Sequence, residues 1–236
     1  GLADSLIMLG LRYGSAPSLE CASAAMRAIC HSAYRTSSAL AREKGPFPQF
    51  DRDKYLHGEF IRQLPPALCE DIQCHGMRNS HVTAIAPTGT ISLLANNVSS
   101  GLEPVFRFAY QRRMRDAEGG LRLHPVEDYA HALFRQQYGA AELPPAFVSV
   151  ADIPPPAHLA MQAALQPYVD SAISKTINVP RDYSYAGFRG LYDDAFDRGL
   201  KGCTTFRPNA VTGEVLVDQP ATPPAVHCCS VEREAD

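Results

Sequence analysis

The sequence lacks the charge excess and the long apolar runs that identify several classes of binding protein. Its 22 Lys and Arg residues face 25 Asp and Glu residues, which leaves a formal net charge of -3. Proteins that bind nucleic acid or anionic membranes generally present a basic face, so we expect neither partner. No window approaches the ~20 uninterrupted apolar residues of a membrane-spanning helix. The apolar start carries Asp4 and no basic segment, so it does not resemble a signal peptide.

The cysteines lack the spacing of a disulfide framework or of a structural zinc site. There are seven of them, an odd number, in a chain that is too long to need a disulfide framework. Cys69, Cys74 and His75 have neither a second CxxC pair nor an HxxxH partner, so we predict no metal ligands. This cysteine usage favours a reducing compartment, and we expect the protein to be cytoplasmic.

What is present is enough apolar material for a core and a helical pattern in the first half. Hydrophobic residues make up 45% of the chain, close to the average for globular domains. Apolar residues recur at three- and four-residue steps over 2–11 and over 19–33, and Gly45-Pro46 ends the second run. Pro65-Pro66 opens a third helical stretch, which Gly76 can end. The pattern therefore predicts three helices before the chain changes character.

Strand-like and helical segments alternate in the second half. The predicted strands, all short and apolar, cover 81–86, 105–110, 147–150, 173–179 and 203–206. The predicted helices begin at His124, Ala157 and Ser184. Because strands separated by helices are typical of α/β proteins, this order predicts an α/β fold with a mostly parallel sheet or barrel.

One turn combines a glycine with several hydroxyl side chains. The predicted strand over 81–86 is followed by Pro87-Thr88-Gly89-Thr90, and a helical run then begins with Ile91-Ser92. Gly89 lets the backbone approach a ligand closely, and the first turn of a helix leaves N–H groups unpaired. Thr88, Thr90 and Ser92 add hydroxyl donors suited to phosphate oxygens. The chain has no GxGxxG and no GxxxxGK[ST] motif. The residues therefore indicate a phosphate site, with an ordinary threonine-capped turn as the alternative.

The segment around this turn resembles a known family. APTGTISLLANNVSSGLEPVF, over 86–106, is similar to the substrate-phosphate segment of class II, adenosylcobalamin-dependent ribonucleotide reductases. Three further blocks resemble that family and follow its order: GLADSLIMLGLRYGS at the start, SAISKTINVPRDYSY over 171–185 and GLKGCTTFRPN over 199–209. The four blocks together are specific, whereas any one of them alone would be weak.

The resemblance implies a fold, a reaction and partners. The family fold is a ten-stranded α/β barrel, of which this chain would be the C-terminal portion, with a helix-rich N-terminal half. The family replaces the ribose 2′-hydroxyl of a ribonucleoside di- or triphosphate with hydrogen by radical chemistry, which adenosylcobalamin initiates. A dithiol protein such as thioredoxin or glutaredoxin supplies the electrons. The residues implied to hold the substrate phosphates, mainly through the backbone N–H groups of 89–92, are Pro87, Thr88, Gly89, Thr90, Ile91 and Ser92.

Two departures from the family pattern refine this expectation. The family's catalytic Asn-x-Cys-x-Glu loop has no counterpart in these residues. Since the family places that loop before the block that matches 1–15, we expect the C-terminal part of a longer enzyme, without a catalytic residue of its own and inactive alone. Cys203-Thr204-Thr205-Phe206 stands where radical-subunit-dependent reductases carry a tyrosine pair, which favours the cobalamin class.

The last segment carries an adjacent cysteine pair. From Asn209 onward proline, threonine and valine dominate without a helical period, so we predict a barrel domain over 1–208 and an extended tail over 209–236. In the family, cysteines on a mobile tail can pass electrons to the active-site disulfide. Cys228 and Cys229 are therefore candidates for a redox shuttle, and two ordinary thiols are the alternative.

Two other function classes stay open at this point. One is a non-enzymatic α/β module that binds phosphate or a nucleotide, and the other is a thiol redox protein organised around the cysteines. Half of a barrel would also expose apolar strand edges, so the sequence leaves a homodimer as an expectation.

Overall fold

Helices make up most of the first half of the chain, and short strands join them in the second half. The structure, a computed structural model, describes residues 1–115 and 120–208. In chain order, the elements of these ranges are α1 (Leu2–Met8), α2 (Ala16–Lys44), α3 (Arg52–Leu56), α4 (Pro66–His75), α5 (Gly89–Leu94), β1 (Ala109–Arg115), β2 (Leu121–Glu127), α6 (Tyr129–Tyr138), α7 (Pro155–Leu165), β3 (Thr176–Asn178), α8 (Tyr185–Asp197) and β4 (Thr204–Phe206). Short 3₁₀ turns lie at Ile61–Gln63, Val150–Asp152 and Gln166–Tyr168.

The long helix α2 begins and ends at residues with strong local signals. The side chain of Ser15 caps the helix by accepting a hydrogen bond from the amide of Ser18, and Pro17 lies in the first turn. Gly45 ends the helix with a φ of 79°, a conformation that costs glycine little. The helix predicted over 19–33 is confirmed, and it extends to 29 residues.

Helices α4 and α8 follow their predicted end signals as well. Pro66 occupies the first position of α4, and Gly76 ends it. Ser184 caps α8, because its side chain accepts a hydrogen bond from the amide of Gly187 at 3.1 Å. Both helices are therefore determined largely by local chemistry.

The strands form two separate pairs in the described part of the chain. β3 and β4 are parallel, with Thr176 opposite Thr204, and α8 connects them as the crossover helix of a βαβ unit. β1 and β2 are antiparallel neighbours, and a single parallel bridge joins Ile85 to Ile173. The α/β character is thus present, but residues 1–115 and 120–208 show no closed barrel and no larger parallel sheet.

One predicted strand is wrong, a second begins later than expected, and a third is reduced to one bridge. Residues 147–149 have no regular secondary structure, and a 3₁₀ helix begins at Val150. The strand expected over 105–110 begins only at Ala109, and Val105 is buried in the core. Over 81–86, Ile85 alone makes a strand-type bridge. Short apolar runs like these carry no periodicity that separates a strand from a buried loop.

The helix start predicted at His124 is also wrong. His124 and Pro125 lie in β2, paired with Arg112 and Gln111 of β1. A two-stranded hairpin has open edges, so proline is tolerated there without breaking a ladder. The helix begins at Tyr129 instead, since the side chain of Asp128 accepts a hydrogen bond from the amide of His131 and caps it.

Three apolar clusters connect the elements. The first lies between α1, α2 and α7 and includes the buried side chains of Leu6, Leu102 and Met161. The second joins α2 to α4 around Tyr34 and Ile72. The third packs β3 against α7 and α8. Because Leu102 belongs to the first cluster, the chain just after α5 is anchored in the core.

Candidate phosphate-binding site

The turn identified in the sequence leads directly into α5. Thr88 precedes the helix with a φ of 52°, in the left-handed region that non-glycine residues seldom adopt. The amide of Ser92 donates a hydrogen bond to the carbonyl of Thr88 at 3.0 Å. Within the described ranges, the amides of Gly89, Thr90 and Ile91 have no acceptor, as is usual in a first helical turn. Three adjacent N–H groups of exposed residues are thus open to an anion.

Two of the three hydroxyl groups in the turn are already engaged. The hydroxyl oxygen of Thr88 accepts a hydrogen bond from the amide of Gly101 at 2.7 Å. The hydroxyl of Ser92 donates to the carbonyl of Gly89 at 3.1 Å and lies 3.2 Å from the hydroxyl of Ser100. These two side chains shape the turn, so the exposed Thr90 is the one whose hydroxyl remains available to assist a ligand.

Residues 99–103, which we call the SSGLE segment, pack against this turn. The segment is fixed at several points: the amide of Ser99 donates to Asp4 at 2.8 Å, and the hydroxyl of Tyr13 donates to the carbonyl of Leu102 at 2.7 Å. Gly101 has a φ of 51°, and a Cβ atom there would lie 2.8 Å from the carbonyl oxygen of Ala86. The close contact between the segment and the turn therefore requires glycine.

A buried ion pair holds the far end of the SSGLE segment. The carboxylate of Glu103 accepts hydrogen bonds from Lys175 Nζ at 2.8 Å and from the amide of Thr176 at 2.5 Å. The Lys175 side chain has 0% exposure, and its Nζ lies 5.6 Å from the centre of the Tyr13 ring. Burial lowers the pKa of Lys175, and the Glu103 carboxylate opposes that shift. The segment is thus joined to β3.

Asp170 anchors the chain that enters the turn from the other side. Its carboxylate accepts hydrogen bonds from the Tyr34 hydroxyl at 2.6 Å and from the amides of Val82 and Thr83 at 2.6 and 2.9 Å. Burial alone would raise the pKa of Asp170, but these hydrogen bonds outweigh it and lower the pKa below its usual value. The ionised carboxylate therefore fixes the path of residues 82–83 against α2.

The structure brings the six predicted phosphate-site residues into one continuous turn, whereas Cys228 and Cys229 lie outside the described residues. Sequence reasoning missed the residues that hold this turn in place, which include Glu103, Asp170 and Lys175. Glu103 and Lys175 nevertheless lie within two of the blocks that resemble the family, at GLEP and SKTIN. The available signal was a charged residue, Lys175, inside the strand predicted over 173–179, because charged side chains are seldom buried unless they are paired.

Three of the five cysteines in the described ranges have features of inert thiols. Burial raises the pKa of Cys30 to about 11, and it also raises the pKa values of Cys69 and Cys203. Reactive thiols need the opposite shift, since the thiolate is the nucleophile. Residues 1–115 and 120–208 contain no group of three or more potential metal ligands. These cysteines therefore do not support the thiol redox alternative.

A shallow groove runs along α2. It has a volume of about 670 Å³, and its walls include Ile29, Thr36, Asn79 and His81. Pockets for drug-sized ligands occupy about 300–1,000 Å³, and a corrin cofactor with its nucleotide tail is larger than such ligands. This groove therefore does not fit adenosylcobalamin, and no chemical step through the cofactor follows from it.

None of the helices in the described ranges is long and apolar enough to cross a lipid bilayer.

The fold and the turn define a mixed α/β domain with a candidate anion site before α5. Residues 1–206 match the sequence profile of the family described as "Ribonucleotide reductase, barrel domain". The chain therefore belongs to the ribonucleotide reductase barrel-domain family, as the sequence resemblance predicted.

Curated relatives agree with this assignment. A vitamin B12-dependent ribonucleoside-diphosphate reductase of Mycobacterium tuberculosis (strain CDC 1551 / Oshkosh) is 34% identical over 92% of this chain and 31% of the relative. The protein of the same name from Thermoplasma acidophilum is 34% identical over 92% of this chain and 28% of the relative. A ribonucleoside-diphosphate reductase subunit alpha of Mycoplasma pneumoniae is 29% identical over 87% of this chain and 31% of the relative. The chain spans less than a third of the length of these relatives.

Proposed function

We propose that this chain is the part of a ribonucleotide reductase that binds the substrate phosphates, in an enzyme that converts ribonucleotides to deoxyribonucleotides by radical chemistry. The observation that carries the proposal is the set of three open amides at Gly89, Thr90 and Ile91. Family membership makes a ribonucleotide the expected source of the phosphate. The chain supplies binding and orientation, and the radical chemistry belongs to the whole enzyme.

The turn suits a phosphate group for electrostatic and steric reasons. Backbone N–H groups at a helix start carry partial positive charge, and bonds from N–H donors to an anion are stronger than neutral ones. Thr88 and Ser92 hold the turn in shape, while the Thr90 hydroxyl adds a donor. Apart from the adjoining backbone, no atom of the described ranges lies within 4 Å of the position that a Cβ on Gly89 would take, which leaves room for a ligand beside the backbone.

Binding of inorganic pyrophosphate to the full chain tests this function. In ¹H–¹⁵N spectra we expect the amide resonances of Gly89, Thr90 and Ile91 to shift with added pyrophosphate. Gly89→Ala should weaken binding about tenfold, because a side chain there interferes with hydrogen bonds to a charged group, each worth about 1.5–3 kcal/mol.

Gly190→Ala is the matched control, because Gly190 is also without neighbours at its Cβ position but lies in α8. It should bind pyrophosphate as the unsubstituted chain does. The absence of any shift at the three amides, or equal affinities for the two alanine variants, would rule the phosphate site out.

The proposal extends to the cofactor and to the reaction. The names of the relatives support adenosylcobalamin as the initiating cofactor, with a ribonucleoside di- or triphosphate as substrate and a dithiol such as thioredoxin or glutaredoxin as reductant. The domain would cover 1–208 as part of a barrel, followed by the tail over 209–236. The free thiols of the described cysteines fit a reducing compartment such as the cytoplasm.

Activity assays separate the chain from the enzyme to which it belongs. Because these residues lack an Asn-x-Cys-x-Glu loop, we expect no deoxynucleotide formation from the 236 residues alone, even with adenosylcobalamin and dithiol. Product formation by the chain alone would contradict this part of the proposal.

The tail cysteines are proposed as a redox shuttle. Replacing Cys228 and Cys229 with serine should abolish turnover driven by a dithiol protein in the whole enzyme, because the electrons would have no carrier into the active site. Replacing Cys74, which is exposed, serves as the control and should leave turnover intact. Unchanged turnover in the double serine variant would refute the shuttle.

A further inference from the structure

We infer that Glu103 and Lys175 are positioning residues, which orient the turn over 87–92 toward a bound phosphate by fixing the SSGLE segment to β3. This inference rests on the proposed phosphate-binding function. The hydrogen bonds of the pair join the two residues to each other and to Thr176, not to the turn. The pair therefore acts through the segment and touches no substrate.

The pair fixes one end of the SSGLE segment with little freedom. Each carboxylate oxygen of Glu103 has its own donor, Lys175 Nζ for one and the amide of Thr176 for the other. Thr176 is the first residue of β3, and the carbonyl of Lys175 accepts a bond from Thr204 of β4. The end of the segment is thus tied to the parallel β3–β4 strand pair.

The neighbouring residues of the segment transmit this position to the turn. Gly101, two residues before Glu103, donates its amide to the Thr88 hydroxyl, and Ser100 contacts the Ser92 hydroxyl. Leu102, which lies between Gly101 and Glu103, accepts a hydrogen bond from the hydroxyl of Tyr13 through its backbone carbonyl. A shift at Glu103 would therefore displace the two side chains that shape the turn, and small displacements of a binding group are costly.

Charge explains why these two residue types are needed together. A fully buried ammonium group is expensive unless a carboxylate and further contacts compensate it. The compensating contacts of Lys175 are the carboxylate of Glu103 and the face of the Tyr13 ring. Glu103 belongs to the SSGLE segment, and Tyr13 is hydrogen-bonded to that segment at Leu102. The attraction between the Lys175 ammonium and these two groups therefore holds the segment in one position beside β3.

Three variants of the full chain separate positioning from simple stabilisation. Glu103→Gln keeps the shape of the side chain and an oxygen for the Thr176 amide, but it leaves the Lys175 ammonium unpaired. Adding Lys175→Met removes that ammonium, and neutral replacement of a buried pair generally preserves stability. Ile72→Val is the control, because it removes one buried methylene group from α4 in the second apolar cluster and no hydrogen bond. Each variant is compared by Tm, by ¹H–¹⁵N spectra and by pyrophosphate affinity.

We expect the Glu103→Gln/Lys175→Met chain to recover the Tm lost by Glu103→Gln alone and still bind pyrophosphate about tenfold more weakly than the unsubstituted chain. Its Gly89, Thr90 and Ile91 amide resonances should already be shifted before ligand is added. Ile72→Val should lower Tm and leave affinity and these resonances unchanged. Affinity that recovers together with Tm in the double variant would overturn the inference.

The two proposals fail in different ways. A chain that keeps its Tm but shows no response to pyrophosphate would refute the phosphate-binding function, whatever the pair does. Amide resonances of the turn that stay unshifted in the ligand-free double variant would refute the positioning role, whether or not pyrophosphate binds.

Discussion

Gly101 shows at the scale of one residue how the candidate site depends on a close backbone contact. Its amide donates to the Thr88 hydroxyl at 2.7 Å, and Thr88 itself adopts a left-handed φ of 52°. An unfavourable backbone conformation persists only when surrounding contacts hold it in place. The bond from Gly101 is such a contact, so the shape of the turn is determined partly by a residue thirteen positions later.

Gly101→Ala should be far more disruptive than the same change at Gly139. Both glycines have a positive φ, 51° and 59°, but only Gly101 has an atom 2.8 Å from the position of a Cβ, the carbonyl oxygen of Ala86. We expect about 1 kcal/mol of lost stability for Gly139→Ala, from left-handed strain alone, and at least about 2–3 kcal/mol for Gly101→Ala. Urea unfolding measures both. Similar losses at the two sites would show that the contact with Ala86 relaxes without cost.

At the scale of elements, the start of α6 brings two acidic side chains together. Asp128 caps α6 through the amide of His131, and it is almost completely buried. Burial raises the pKa of Asp128, and the nearby charge of Asp4 on α1 raises it further. The folded protein therefore binds a proton at Asp128 more tightly than the unfolded chain does.

This shift predicts that the protein becomes less stable as the pH rises. The favourable contribution of neutral Asp128 is fully present below its ordinary pKa of 3.8, and it is lost as the pH rises through the higher pKa of the folded state. Asp128→Asn keeps a good helix cap and removes the titration, so the Tm of this variant should fall less than that of the unsubstituted chain between pH 5 and roughly pH 9.

Asp51→Asn is the control for this experiment. Asp51 caps α3 through the amide of Lys54, but it is exposed, and hydrogen bonds with Lys54 lower its pKa. Its contribution is therefore present above the ordinary Asp pKa and lost only as the pH falls below it. The variant should retain the unsubstituted dependence above pH ~5. A parallel pH dependence of all three chains would contradict the role of Asp128.

At the scale of the whole molecule, the described surface exposes strand edges and large apolar side chains. β3 and β4 pair only with each other in the described ranges, and open strand edges promote association. Helix α8 presents four exposed aromatic side chains at steps of three and four residues, Tyr185, Phe188, Tyr192 and Phe196. An exposed apolar stripe of this kind marks a contact surface.

We therefore predict self-association of the chain that depends on the α8 stripe. Sedimentation velocity should show an average mass that rises with concentration, and Tyr185→Ser with Phe196→Ser should shift the population toward monomer, because these side chains are 80% and 82% exposed. Tyr138→Ser, at a 61% exposed position on α6, is the control and should have no effect. A monomer at all concentrations would contradict the prediction.

The sequence by itself determined the features that depend on neighbouring residues. Ser15, Gly45 and Ser184 mark helix ends through hydrogen bonds and φ angles within their own turn, so α2 and α8 could be predicted. Two further features also depend only on neighbouring residues. One is the pattern of glycine and hydroxyl side chains in the turn over 87–92, and the other is the set of sequence blocks that identify the family. Their information needs no knowledge of distant contacts.

Only the tertiary structure decided the features that join distant parts of the chain. His124 and Pro125 became part of a strand because β1 lies beside them, although the local pattern favoured a helix start. The Glu103–Lys175 pair joins residues 72 positions apart, and no periodicity in the sequence reports such a contact. The conformation of such residues depends on how deeply they are buried and on which charged groups pack against them. Burial and these contacts arise only when the chain has folded.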